Sequence, residues 1–142
     1  MTSTRFVIGS LVFVQALIIV SAQGKTTVDG IYSEPQAVRG EAVYKESCTT
    51  CHGEDLSGSG QAPALAGKEF NGDWVDLSVA DLFDRTHVSM PADKPGSLTP
   101  AQTVDVIAYL LKKGNFPAGT ADLPSDTAVL KAIKFVNPPA PK

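Results

Sequence analysis

Cysteine is scarce in this sequence, with only two in the whole chain. That excludes a scaffold of several disulfide bridges. It also excludes a cysteine-rich zinc or iron–sulfur site built within one chain. There is no lysine-dense segment, and the formal net charge is −3. Non-specific nucleic-acid binding is therefore a poor fit. The main apolar run, 6–20, is short for a membrane span, which needs about 20 residues. Internal repeats are absent, and no two segments read as paired strands. What is present is globular composition, 43% hydrophobic and 19% charged, rather than that of a disordered chain. The 142 residues suit one domain. Ten prolines and twelve glycines suggest long irregular connections between few elements.

The chain opens with one positive charge, Arg5, before the apolar run Phe6 to Val20. Small residues follow in Val20-Ser21-Ala22. This pattern reads as a secretory signal peptide over 1–22, cut after Ala22. The alternative is a retained leader acting as a membrane anchor. Either way the domain is expected outside the cytoplasmic membrane, in the periplasm. Residues 23–34 read as a mobile arm, 35–136 as the folded domain and 137–142 as a frayed tail.

Helix signals are local and clear. Ser33 can cap a helix with Pro35 in its first turn, and Gln36 can complete a capping box. Val38, Ala42 and Val43 continue a helical repeat up to Cys48. Gly40 interrupts it, at a cost of about 1 kcal/mol relative to Ala. Either that cost is tolerated or another helix backbone passes close by. The stretch 53–73 reads as loop, with a weak helical signal over 68–75. Ser78 and Asp81 form a second capping box, opening a helix to about His87 that ends before Pro91. Thr99, Pro100 and Gln102 give the strongest helix start. Val104, Ile107, Ala108 and Leu111 form its apolar stripe, and Gly114 closes it. A last short helix is expected over 125–133, with Val129, Leu130 and Ile133 packing back. The expected class is all-α, with long loops.

Cys48-Thr49-Thr50-Cys51-His52 is C-x-x-C-H, the attachment signature of c-type haem. Two thiols on one turn can each bond a haem vinyl group, and the next residue offers an imidazole to the iron. A redox dithiol would need a βαβ setting, which is missing. A zinc site is disfavoured because His52 and His87 lack finger spacing. A Cys48–Cys51 disulfide is the remaining alternative. A bound apolar group would also help a short chain that buries only about two-thirds of its unfolded surface. For the second axial position, Met90 is the only Met beyond the leader and His87 the only other His. Met90 precedes Pro91 on a loop, whereas His87 falls inside a helix, so Met90 is favoured. Ligation by His87 or an open position is the alternative.

With these residues in place, the chain resembles a class I cytochrome c over Pro35 to about Ile133. Gly40 and Tyr44, eight and four residues before Cys48, match the family's Gly and aromatic positions. The resemblance implies that Gly40 packs on the C-terminal helix, with Val106 and Tyr109 facing the first. It implies that the Pro63 carbonyl accepts from the His52 imidazole, that Leu65 packs on the haem, and that Trp74 resembles the family's propionate-binding tryptophan. The implied fold is a cytochrome c fold of three to five helices wrapped around one haem.

The stretches Cys51–Leu56, Ala62–Gly67 and Met90–Leu98 resemble small bacterial cytochromes. Those are associated with pyrroloquinoline-quinone-dependent (PQQ-dependent) alcohol dehydrogenases. The implied role is a monomeric one-electron carrier, not an enzyme. It would hold one covalent haem c through Cys48 and Cys51, with iron ligands His52 and Met90. Redox partner proteins would be such a dehydrogenase as donor and a terminal oxidase as acceptor. Lys94 is a candidate rim contact. The rival reading is a haem enzyme or gas-binding sensor with an open sixth position. Against it, the chain has no second C-x-x-C-H, and the motif is far from the C-terminus, unlike in gas-binding four-helix cytochromes.

Overall fold

The computed structural model describes residues 24–60 and 62–140, so the expected leader lies outside the described residues. These form six helices: α1 Glu34–Ser47, α2 Thr49–His52, α3 Gly67–Trp74, α4 Val79–Ser89, α5 Pro100–Lys113 and α6 Thr127–Lys131. Pairing between extended segments is limited to isolated bridges such as Thr26 with Lys134. The fold is all-α. It has one helix more than the upper expectation of five, because Cys48 leaves helical geometry between α1 and the single turn of α2.

The helix starts follow the side-chain chemistry. Ser78 and Asp81 exchange both capping bonds at the head of α4, as do Thr99 and Gln102 at α5. At α1, Ser33 accepts from Gln36 N, but the box is not completed. The Gln36 side chain instead crosses to Leu123. Its Nε2 donates to Leu123 O at 3.0 Å and its Oε1 accepts from Leu123 N at 2.7 Å. Gln36 is fully buried there, and one side chain satisfies both polar groups of a buried loop residue.

The buried face of α1 also differs from the expected stripe. Val38 is 58% exposed and Ala42 faces solvent. Gln36, Ala37, Gly40 and Tyr44 are buried instead. Gly40 decides this, because a Cβ there would overlap the Asp105 carbonyl of α5. The two backbones meet directly, and only glycine permits that approach. The Tyr44 and Tyr109 rings pack beside this contact, with centroids 5.2 Å apart. Arg39 bridges Asp105 and Asp122 over its edge.

Helix α5 runs through the middle of the core. Its expected stripe is buried, and so are Val106, Tyr109 and Leu110. A helix apolar nearly all round is enclosed on several sides. Tyr109 meets α1, as the resemblance implies, and Val106 lines a cavity. Leu130 on α6 and Ile133 just after it pack inward, but Val129 is 45% exposed.

Residues 24–34, expected as a mobile arm, are packed in place. Thr27 N donates to Lys134 O at 3.1 Å, and Lys134 N donates to Lys25 O at 2.9 Å. The Thr27 hydroxyl donates to Val136 O and accepts from Val136 N. Ile31 and Tyr32 are buried, and the Tyr32 hydroxyl donates to Phe116 O at 2.8 Å. The arm therefore ties the C-terminal segment to the helices. Among the described residues, no helix is long and apolar enough to cross a membrane.

Candidate haem site

A cavity of about 530 Å³ opens beside α5. That lies within the usual range of ligand pockets, about 300–1,000 Å³. Cys48, Cys51 and His52 border it from the α1–α2 turn, and Pro63 and Leu65 from the following loop. Phe70 and Trp74 come from α3, Leu82 and Thr86 from α4, and Val106 and Leu110 from α5. Met90 and Pro91 complete the wall. The structure thus brings together all four residues singled out from the sequence.

The C-x-x-C-H turn is rigid for local reasons. Cys48 N donates to Tyr44 O, and both Cys51 N and His52 N donate to Cys48 O. The Tyr44 hydroxyl donates to Gly53 O at 2.7 Å, pinning the exit of the turn. Cys48 and Cys51 are free thiols, not a disulfide. Burial pushes the Cys48 thiol up to about 11, with the neighbouring Cys51 adding to the effect. At neutral pH it therefore keeps its proton.

His52 is buried, with Nδ1 2.8 Å from the Pro63 carbonyl oxygen. A carbonyl can only accept, so Nδ1 carries the proton and donates. Nε2 is left with its lone pair free, and the hydrogen bond fixes the orientation of the ring. The loop holding Pro63 is itself tied down by Leu65 N donating to Leu56 O at 2.8 Å.

Met90 is the residue at which α4 ends, with extended backbone. Its N–H still donates to Thr86 O at 3.0 Å. His87 takes no part in the cavity wall. Its ring stacks on Phe83, and its Nδ1 lies 3.2 Å from the Thr103 hydroxyl. Trp74 lies on the wall, whereas Lys94 is exposed and outside it.

The donor set and the walls fit a haem. A histidine and a methionine border the same cavity, two cysteines lie on one turn, and most other liners are apolar. Leu82 and Thr86 were not singled out from the sequence. With Met90 they repeat every four residues, a spacing that marks one helix face. Arg85, also on the wall, carries no comparable sequence signal.

Residues 35–110 match the family model described as Cytochrome C oxidase, cbb3-type, subunit III. The chain belongs to the class I c-type cytochromes. Members of this family are electron-transfer haem proteins, and haem c is the cofactor. Among solved structures, the sulfane dehydrogenase SoxCD from Paracoccus pantotrophus is similar. The TM-score is 0.51 at 21% identity, covering 68% of this chain and 56% of that one. At this identity the likeness bears on fold alone, and this cytochrome aligns with little more than half of that chain. A comparison with curated proteins finds no match.

Proposed function

We propose that this cytochrome is a one-electron carrier holding a single haem c, bonded to Cys48 and Cys51 and ligated by His52 and Met90. The observation that carries the reading is the shared cavity. Cys48, Cys51, His52 with its Nδ1 already engaged, and Met90 all border it, and His87 does not, which supports this ligand set. When bound, the haem iron supplies a couple between ferrous and ferric states. Cys48 and Cys51 would hold the haem covalently, each thiol adding its S–H across one vinyl group with no atom lost. Pro63 orients His52, and Met90 offers a neutral, soft sulfur. Met/His ligation raises the potential relative to bis-His ligation.

With both axial positions filled, the protein acts as a carrier and not as an enzyme. It works in the periplasm as a monomer and docks transiently on redox proteins through a small interface. A PQQ-dependent alcohol dehydrogenase is the proposed donor and a terminal oxidase the proposed acceptor. The three stretches that resemble small bacterial cytochromes support those partners. The division of the chain into an exported leader, 1–22, and a cytochrome domain running to 136 is part of the same reading.

Met90→Ala tests the ligand assignment. Its reduced form is expected to bind carbon monoxide, and its potential to fall below that of the wild type. His87→Ala is expected to change neither. A Met90→Ala protein with wild-type spectrum and potential would remove Met90 from the site.

A further inference from the structure

Arg85 is the one lysine or arginine among the described residues that border the cavity. Arg39, Lys45 and Lys112 each pair with a carboxylate. Arg85 forms no ion pair among the described residues, and it borders the cavity from the same helix as Leu82 and Thr86. Asp73 and Asp93 border the cavity too, yet neither comes within ion-pair distance of it. A guanidinium presents five donors in a planar fork and matches carboxylate geometry. An unpaired one on a largely apolar wall is placed to receive an anion, and the two aspartates would repel that anion toward it. A haem brings two propionate carboxylates.

We propose that Arg85 grips a propionate carboxylate of the haem, and so orients the cofactor and sets its reduction potential. This rests on the haem reading of the cavity. Two consequences distinguish it from a solvated surface arginine. Removing the guanidinium takes a positive charge from the wall of the haem cavity. That favours the ferric state, which carries one more positive charge, and the potential falls. The same loss lets the carboxylate take up a proton more readily, so the pH-dependent step in the potential moves to higher pH. Other titratable groups around Arg85 are Asp73 on α3, Asp93 after Met90, His52 on α2, and Asp81, Asp84 and His87 on α4. All are kept in the variants, so the difference from wild type isolates Arg85.

The test uses exported holoprotein: wild type, Arg85→Gln and Arg85→Lys. Arg85 is exposed and its side chain makes no hydrogen bond among the described residues, so neither change threatens folding. Covalent haem and the reduced spectrum are checked first, then the midpoint potential is measured against pH. All three proteins are expected to keep the haem and the low-spin spectrum. Arg85→Gln is expected to show a lower potential at neutral pH and an upward move of the pH step. Arg85→Lys, which keeps the charge, is expected to stay near wild type. An Arg85→Gln protein with wild-type potential and pH profile would overturn the proposal. So would Arg85→Lys moving as far as Arg85→Gln. Absence of covalent haem in the wild type would instead overturn the underlying reading, and the two failures are told apart at the first step.

Discussion

Exported protein carrying Cys48→Ser and Cys51→Ser together is expected to hold no covalent haem and to lose its stable fold. The thiols are the only sulfurs on the α1–α2 turn, and serine cannot form a thioether. The effect on folding follows from the cavity. Its 530 Å³ would lie between α3, α4, α5 and the C-x-x-C-H turn without a filling group. At about 24 cal/mol per Å³, an unfilled space of that size costs about 13 kcal/mol as an upper bound. Whole-domain stability is only about 5–15 kcal/mol. The haem thus belongs to the core as well as to the function, and its absence is expected to abolish cooperative unfolding. A haem stain on a denaturing gel reads the first effect, and thermal unfolding followed by circular dichroism reads the second. A stain persisting in the double variant would contradict the attachment.

Gly40→Ala is expected to destabilise the holoprotein, although alanine is the better helix former by about 1 kcal/mol. The new methyl would meet the Asp105 carbonyl, with Tyr109 Cβ 3.0 Å away. Those neighbours are backbone and the root of a side chain, so no rotamer change relieves the clash. Overpacking of this kind costs about 1–3 kcal/mol and occasionally more. The packing loss outweighs the propensity gain, and Gly40→Val is expected to be worse. Val38→Ala, two residues away on the exposed face, is expected to change stability by less than about 0.5 kcal/mol. Urea unfolding midpoints decide the matter. A Gly40→Ala protein as stable as wild type would show that α1 and α5 do not need backbone contact.

The contrast between Gly40 and Val38 shows where the sequence is readable. Capping at Ser78 and Thr99 is legible because it uses side chains within one turn of the backbone they serve. The C-x-x-C-H turn is legible for the same reason. Val38 and Ala42 mislead because apolar spacing marks a possible face, whereas the actual face follows from where α5 comes closest. The arm is opaque in another way. Thr27 and Val136 meet across 109 residues, through hydrogen bonds that leave no periodic trace. For the site, Cys48, Cys51, His52 and Met90 stand out by residue type. Pro63 emerges only through the family resemblance, since a backbone carbonyl has no sequence signature. Arg85 becomes notable only once the tertiary structure places it on the cavity wall.

The most direct test of the account is the optical spectrum of the reduced, exported wild-type protein before and after adding carbon monoxide. With His52 and Met90 both on the iron, a sharp low-spin ferrous spectrum is expected, unchanged by the gas. A spectrum that shifts on adding carbon monoxide would contradict filled axial positions and turn the protein into a ligand-binding haem enzyme or sensor.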